Sequence, residues 1–312
     1  MRKIIDVKLK TQKSEFDKCK TNLLAVGVFS DAKQLSGAVS QLNKKLGGAI
    51  KQVVDLKDFQ GKPGSTHVVY GGGNVAAERI LLVGLGEKDK ANLDTVRRAA
   101  AAAANKAVGM KAKSLWLALH DAFGKDFDAE QMGRAMAEGA HFGSYRYDEF
   151  ISSDDDEEDG RPKSIAIEVV DPDNKTVKKL NNGVKVGDII GRGQSFARTI
   201  ANRPANIINP PTLATEAQKV ARGVKGLTCT VWDEKKLKQE GMGGHMAVGA
   251  GSRTGPRFIV LKYKGATGKA KSPWIGLVGK AITFDSGGIS IKPGAKMDEM
   301  KYDKTGGLTV LG

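Results

Sequence analysis

The sequence has few cysteines, few histidines and no long apolar run. Two cysteines, Cys19 and Cys229, occur in 312 residues. Their spacing fits no zinc or redox motif, which excludes a disulfide framework and predicts free thiols in a reducing compartment. The four histidines show no paired spacing, so histidine-based metal chemistry is not expected. No run of about 18 apolar residues is present, and the charged N-terminus lacks the apolar core of a signal peptide. These absences predict a soluble, cytoplasmic protein without a membrane span.

Aromatic residues are also scarce, at 6%, whereas charge is abundant and unevenly distributed. The net charge is +15, and residues 1–160 carry 24 Lys and Arg against 23 Asp and Glu, while residues 161–312 carry 26 against 12. One interpretation of the basic excess in the second half is attraction to nucleic acid or anionic substrates. The other is a solvated surface whose charge is balanced by other segments or subunits. The lysines are scattered and lack the interleaved aromatic residues of a single-strand binder. Nucleic-acid binding therefore stays open as an alternative that charge alone supports.

The order of the apolar segments predicts an α/β protein. With 40% apolar residues, the chain is long enough to bury two cores. Strands are predicted at 1–10, 21–29, 67–70, 79–84, 114–119, 164–170, 227–232, 258–263 and 274–279, and helices at 31–46, 92–108, 129–141, 188–202, 212–224 and 233–240. Alternation of this kind predicts a largely parallel sheet that is covered on both faces.

Two features suggest how the chain is divided. The acidic run at 152–162 cannot pack, so we expect an exposed loop that interrupts the first domain. Helix 188–202 leads into a proline-rich turn, which is a plausible hinge. We therefore predict an N-terminal mixed α/β domain over 1–185, a linker helix over 186–204 and part of a second α/β domain over 205–312.

Two glycine-rich segments have only a superficial likeness to phosphate-binding loops. Gly84-Leu-Gly86 lacks the third glycine of a dinucleotide fingerprint and is followed by acidic residues. Gly249-Ala-Gly251-Ser252 lacks the Gly-Lys-Ser/Thr ending of a phosphate cradle. Both are therefore predicted to be tight turns, and His245, which precedes the second segment, is assigned no metal role.

Lysines and carboxylates converge near the end of the chain. Lys280 follows the apolar run 274–279, so we expect it at the C-terminal end of a buried strand, where open α/β sheets bind ligands. Asp285-Ser-Gly-Gly288 predicts a sharp turn that presents a carboxylate to the same cleft. Asp303 would add a second oxygen ligand, and a neutral Lys280 would complete a mixed set for Zn²⁺ or Mn²⁺. Lys292 would polarise a carbonyl or stabilise an oxyanion. On chemistry alone, a structural turn with surface lysines is the alternative.

Four motifs occur in fixed order in this region: Val278-Gly-Lys280, Thr283-Phe-Asp285-Ser-Gly-Gly288, Ser290-Ile-Lys292-Pro293 and Met297-x-x-Met300-Lys-x-Asp303. Asn206-Ile-Ile-Asn209-Pro210 and Met246-Ala-Val-Gly249-x-Gly251-Ser252 are further landmarks. Together they resemble the leucyl aminopeptidase family, the hexameric two-metal cytosol aminopeptidases of peptidase family M17. The likeness is firm over about 186–312, and the first domain is similar only in its order of elements.

The resemblance implies a function for each of these residues. By it, Lys280, Asp285 and Asp303 are metal ligands, Lys292 is the catalytic lysine, and Met300 lines the pocket for the first side chain of the substrate. The implied reaction is hydrolysis of the N-terminal peptide bond of peptides, of leucine type, with two divalent ions, Mn²⁺ or Zn²⁺, that activate a water and polarise the carbonyl. A cytoplasmic homo-hexamer is implied for the complete enzyme, and so is an incomplete α/β/α peptidase domain in this chain.

The chain departs from the family pattern in one respect. The signature Asn-Thr-Asp-Ala-Glu-Gly-Arg, which supplies an Asp and a Glu ligand and the arginine that holds a bicarbonate, is expected after residue 312. We therefore expect an N-terminal fragment or truncated form that binds metal poorly and is inactive by itself, which leucine-anilide hydrolysis with added Mn²⁺ tests. The alternative is a non-catalytic, basic interaction protein that binds nucleic acid, with an affinity that falls steeply with salt.

Overall fold

A computed structural model describes residues 4–151, 162–265 and 273–312. The chain forms two compact units, residues 1–195 and residues 196–312. Within the described ranges, no helix is both long enough and apolar enough to cross a membrane. The acidic loop predicted at 152–162 lies outside the described residues except for Pro162.

Unit 1 is built on a six-stranded sheet. Its strands are β1 (Asp6–Lys13), β2 (Leu23–Phe29), β3 (Thr66–Tyr70), β4 (Arg79–Gly86), β5 (Ser114–Leu117) and β6 (Ser164–Asp171). They lie in the order β1-β6-β5-β2-β4-β3, with β3 antiparallel to β4 and the other neighbours parallel. β2 is buried along its whole length, as expected for a strand covered on both faces. The predicted, largely parallel sheet is therefore confirmed in this unit.

Helices cover both faces of this sheet. They are α1 (Gly37–Lys45), α2 (Ala49–Asp55), α3 (Leu93–Gly109), α4 (Ala129–Ser144) and α5 (Asn174–Asn202), of which residues up to Ser195 belong to unit 1. Alternate residues of β2 belong to two apolar clusters: Leu23 and Ala25 pack with α3 and α4, and Leu24 and Val26 pack with α1 and α2. This alternation follows from the two-residue period of a strand.

Two helices of unit 1 begin at residues that differ from the prediction. α1 starts at Gly37 instead of Asp31, because the carboxylate of Asp121 accepts a hydrogen bond from the Ala38 amide at 2.6 Å and Gly37 adopts a φ of 52°. α5 starts at Asn174, where Asp173 accepts a hydrogen bond from the Thr176 amide at 2.8 Å. Such side-chain capping satisfies amides that have no partner inside the helix. Distant partners and local caps, and not apolar periodicity, decide these starts.

Unit 2 has fewer strands. It contains α6 (Pro210–Gly223), β7 (Leu227–Trp232), α7 (Glu234–Gln239), α8 (Gly243–Gly249), β8 (Phe258–Tyr263) and α9 (Thr305–Leu311). β7 and β8 pair in antiparallel register, so the parallel arrangement predicted from the sequence does not apply to these two strands. A small core joins the end of α5 to α6 and α9 through Ile200, Leu213 and Leu308.

The strand predicted at the apolar run of unit 2 is wrong. The apolar run 274–279 forms no strand, and within the described part of the chain it pairs with no neighbour. Ile275 and Val278 are 87% and 96% exposed, so Lys280 does not follow a buried strand. A strand needs a ladder partner, which apolar composition alone does not supply. The tight turn predicted at Gly249-Ala-Gly251-Ser252 is present, since the Ser252 amide donates to the Gly249 carbonyl at 3.0 Å. It follows α8, the helix on which His245 lies.

Candidate metal and catalytic site

Asp285 begins a tight turn that depends on glycine. Its Oδ1 accepts a hydrogen bond from the Gly287 amide at 2.9 Å, and the Lys292 amide donates to the Ser286 carbonyl at 2.9 Å. Gly287 and Gly288 have φ values of 91° and 73°, a region that favours glycine. A Cβ on Gly287 would also lie 2.4 Å from the Ser290 carbonyl oxygen. The predicted sharp turn is therefore present, and it brings Lys292 back to Asp285.

Lys292 and Asp285 form a close ion pair. The Lys292 Nζ lies 2.5 Å from the Asp285 Oδ2, and each side chain is about one-third exposed. The Lys292 ammonium, helped by the Gly287 amide, holds the pKa of Asp285 below its usual range, and the charge of Lys280 contributes. Asp285 is therefore an ionised carboxylate at neutral pH, with its charge balanced by Lys292.

Lys280 and Asp303 form a second, looser pair. The Lys280 Nζ lies 3.4 Å from the Asp303 Oδ2, which counts as an ion pair by distance. The same oxygen is buried and accepts no hydrogen bond from any described residue, so the contact with Lys280 has the distance of an ion pair without hydrogen-bond geometry. A buried carboxylate oxygen without a donor is unfavourable unless a cation compensates it. Lys280 supplies one such cation, and the oxygen keeps its capacity to accept a hydrogen bond or a further cation.

Close backbone contact brings Lys280 and Asp303 together. Asp303 lies in a 3₁₀ helix, Met297–Lys304, that leads into α9. The Gly307 amide donates to the Lys280 carbonyl at 2.5 Å. A Cβ on Gly279 would lie 2.4 Å from the Gly306 carbonyl oxygen. The glycines on both segments therefore permit an approach that a larger residue would block.

Lys304 is a residue that the sequence did not single out. It is fully buried, and its Nζ donates to the Arg203 carbonyl at 3.1 Å and to the Lys301 carbonyl. Burial, together with the nearby charge of Lys301, lowers the pKa of Lys304 to about 8. Sequence alone carries no signal for this position, because lysine is almost always a surface residue.

A cleft of about 600 Å³ lies beside Lys280 in unit 2. Its wall is mostly apolar and includes Leu213, Phe258, Val278, Lys280 and Leu311. Met300, expected to line a substrate pocket, lies in the 3₁₀ helix and is half-buried, but it is not part of this wall.

The donor atoms suit a divalent cation. Lys280, Asp285 and Asp303 offer one amine and two carboxylates, a set that Zn²⁺ or Mn²⁺ accepts. Over residues 4–151, 162–265 and 273–312, no group of three or more His, Cys, Asp and Glu side chains could hold a metal ion. The candidate set suggested by the sequence motifs differs from such groups because it includes a lysine amine. The individual roles of these residues stay predictions.

Both units match sequence profiles of a single family. Residues 25–154 match the N-terminal domain of the cytosol aminopeptidase family, and residues 195–312 match its catalytic domain. A probable cytosol aminopeptidase of Nitrosococcus oceani is 36% identical over 297 residues, which are 95% of this chain and 58% of the relative. The cytosol aminopeptidase of Pseudomonas aeruginosa is 36% identical over 304 residues, which are 97% of this chain and 59% of the relative. The chain thus spans a little under 60% of the length of these curated relatives.

Solved structures give the same result, and the family assignment follows from both comparisons. The bottromycin maturation enzyme BotP in complex with Mn is 31% identical, with a TM-score of 0.71, over 93% of this chain and 55% of that one. A tomato leucine aminopeptidase mutant is 25% identical, with a TM-score of 0.80, over 98% and 58%. None of these relatives supports the alternative of a basic nucleic-acid-binding protein. The chain belongs to the cytosol aminopeptidase family.

Proposed function

We propose that this chain forms part of a metal-dependent aminopeptidase that releases N-terminal amino acids, of leucine type, from peptides. The observation that carries the proposal is two lysine–aspartate pairs, Lys280 with Asp303 and Lys292 with Asp285, within the region that matches the catalytic domain. The charge of Lys280 also acts on Asp285, which links the two pairs. The Mn present in the BotP complex supports the metal dependence.

Each of these side chains has a distinct role in the proposal. Lys280, Asp285 and Asp303 are metal ligands in a site for two divalent ions, Mn²⁺ or Zn²⁺. When bound, such ions lower the pKa of water and polarise the scissile carbonyl. The Lys292 ammonium, on the turn beside Asp285, donates to the carbonyl oxygen as negative charge develops there. Met300 contacts the first side chain of the substrate.

The remaining features of the proposal rest on the resemblance of the sequence motifs to the leucyl aminopeptidase family. A further Asp and Glu ligand, and an arginine that holds a bicarbonate, would be supplied by polypeptide equivalent to the part of the relatives that this chain does not span. We also propose a homo-hexameric assembly in the cytoplasm. The functional domains would be an N-terminal domain over 1–185, a linker helix over 186–204 and the catalytic part over 205–312.

A chimera tests the proposal. Residues 1–312 are joined to the part of the Pseudomonas aeruginosa cytosol aminopeptidase that extends beyond the matched region. We expect hydrolysis of leucine p-nitroanilide that disappears with EDTA and returns with Mn²⁺. Asp303→Asn should abolish it, whereas Asp298→Asn, an exposed change in the same 3₁₀ helix, should preserve it.

The outcomes separate folding from function. A chimera that folds and binds Mn²⁺ but releases no leucine contradicts the proposed activity. Equal activity of the Asp303→Asn chimera contradicts the assignment of that ligand. The 312-residue chain alone is expected to show no turnover with added Mn²⁺, and clear turnover would show that its own residues suffice.

A further inference from the structure

The turn that carries Asp303 is anchored by its neighbours on both sides. On one side, the Tyr302 hydroxyl donates to the Asn202 Oδ1 at 2.8 Å. On the other, the Lys304 Nζ donates to the Arg203 carbonyl at 3.1 Å. Asn202 is the last residue of α5 and Arg203 follows it directly, and both lie within unit 2. Asp303 is thus held between two attachments to the same helix end.

The Lys304 attachment is the buried one. Tyr302 is 42% exposed, whereas Lys304 is fully buried. The last carbonyls of a helix have no partner inside the helix and carry a partial negative charge, so a cation is favoured there. Lys304 also donates to the Lys301 carbonyl, which closes the 3₁₀ turn on itself. One ammonium therefore fixes the shape of the turn and its place on α5.

A lysine side chain is energetically unfavourable at this buried position. Burial of a cation is unfavourable unless hydrogen bonds compensate it, and methionine has a similar length without that cost. The two carbonyl bonds of Lys304 explain how the buried ammonium is tolerated. The Oδ2 of Asp303, by contrast, accepts no hydrogen bond from the described residues, and its 3.4 Å contact with Lys280 lacks hydrogen-bond geometry.

We propose that Lys304 is a positioning residue for the metal ligand Asp303: by binding the Arg203 and Lys301 carbonyls, it holds the turn so that the Asp303 carboxylate faces Lys280. The inference rests on the proposed function, because it takes Asp303 as a ligand. Further along the chain, beyond Lys304, the Gly307 amide donates to the Lys280 carbonyl and holds the residues that follow.

The direction in which Mn²⁺ affinity changes distinguishes a positioning role of Lys304 from a purely electrostatic one. Removal of a cation near a metal site weakens repulsion and, by electrostatics alone, strengthens cation binding. Loss of a positioning bond weakens binding instead. Lys304→Met should therefore bind Mn²⁺ less tightly although it removes a positive charge. Lys301→Met is the matched control, because it removes the same charge from the same turn and keeps the carbonyl that Lys304 uses.

The experiment uses the 312-residue chain, labelled with ¹⁵N, and Mn²⁺ alone as the probe. The readout is the Mn²⁺ concentration that halves the backbone amide signal of Gly287, since paramagnetic broadening detects weak binding. The Asp303→Asn variant shows how much more Mn²⁺ is needed when the proposed carboxylate ligand is removed completely. We expect Lys304→Met to need at least about fivefold more Mn²⁺ than the unaltered chain, and Lys301→Met to need the same amount or less. Hydrogen exchange over residues 227–263 reports whether unit 2 stays folded.

Each outcome either supports or contradicts the positioning role of Lys304. If Lys304→Met binds Mn²⁺ as tightly as the unaltered chain or more tightly, the positioning role is wrong while the metal site stands. If Mn²⁺ does not broaden the Gly287 signal of the unaltered chain, or broadens it equally in Asp303→Asn, the metal site itself is wrong. If exchange over 227–263 rises in Lys304→Met, Lys304→Arg decides instead, because it keeps the cation and its donors: affinity within about threefold of the unaltered chain supports positioning, and a loss of fivefold or more overturns it.

Discussion

The ammonium of Lys292 lies 2.5 Å from the Oδ2 of Asp285, so the lysine proposed to act on the substrate neutralises an aspartate proposed to bind metal. A carboxylate cannot give the same oxygen fully to an ammonium and to a metal ion. Metal binding at Asp285 therefore competes with Lys292. Release of the lysine from this pair is also what would free it to reach a carbonyl oxygen.

This competition predicts a gain of affinity. Lys292→Met should lower the Mn²⁺ dissociation constant of the 312-residue chain by roughly three- to tenfold, because an exposed ion pair is worth a modest amount and its loss leaves Asp285 without a counter-ion. Lys296→Met is the control, since it removes the same charge from an exposed lysine nearby. Titration with Mn²⁺, in which electron paramagnetic resonance detects the free ion, measures the dissociation constants of both variants. A weaker or unchanged affinity in Lys292→Met contradicts the competition.

The apolar segment 274–279 should exchange its amide hydrogens rapidly. It makes no ladder with another described segment, and Ile275 and Val278 are almost fully exposed. Without hydrogen-bonded partners, amides have little protection. We expect exchange within seconds over 274–279 and much slower exchange over β8, which pairs with β7. Mass spectrometry of the isolated chain measures both segments, and equal protection would show that the run is a paired strand after all.

α5 should not tolerate a methyl group where it crosses α4. A Cβ on Gly183 would lie 1.8 Å from the Glu130 carbonyl oxygen. Gly183→Ala should therefore destabilise unit 1 by about 2 to 3 kcal/mol, although alanine favours a helix by about 1 kcal/mol. Gly109→Ala, at a helical glycine with no atom within 4 Å of the added Cβ, should leave stability unchanged or raise it.

The fluorescence of Trp116 during urea unfolding measures the two alanine variants, in a background where Trp232 and Trp274 of unit 2 are replaced by phenylalanine. Trp116 lies on β5 and reports unit 1 alone. Equal midpoints for the two variants would mean that the close helix contact is not needed.

Glu138 should stabilise unit 1 in a pH-dependent way. The Arg97 and Arg134 Nε atoms each donate to it at 2.7 Å. Burial opposes ionisation, but the bonds from Arg134 and Arg97 outweigh it and lower the pKa of Glu138 below its ordinary 4.5. A carboxyl with a lowered pKa contributes stability above its ordinary pKa, and this is lost as the pH falls through the lowered value.

Glu138→Gln should therefore cost about 1 to 2 kcal/mol at pH 7, a value discounted because both arginines are partly exposed. The difference in unfolding free energy between Glu138→Gln and the unaltered chain should shrink as the pH falls from 4.5 towards 3. Urea unfolding at pH 4.5 and at pH 3, with the same Trp116 probe, measures this difference. A difference that grows at low pH contradicts the assignment.

Sequence reasoning worked where a signal is local. Helix α3 begins one residue after its predicted start because Asn92 and Thr95 form a capping box that the sequence itself contains. The turn at Asp285 was predicted because Gly287 and Gly288 are needed for its dihedral angles. Most strands of unit 1 were found from their continuous apolar runs. In each case the deciding atoms lie within a few residues of one another.

It failed where the deciding atoms are distant. The run 274–279 has the composition of a buried strand, but a strand also requires a neighbour, and composition does not specify one. The start of α1 is set by Asp121, far along the chain. Lys304 looks like any surface lysine until the end of α5 is placed against it.

The sequence by itself determined the family and the candidate site residues, because the motifs around Lys280, Asp285 and Asp303 have fixed types and spacing. Only the tertiary structure decided the pairing: Lys292 with Asp285, Lys280 with Asp303, and Lys304 with the end of α5. The reason is physical. Charge and spacing state which groups are available, whereas the approach of separate backbone segments, permitted here by Gly279 and Gly306, decides which groups meet.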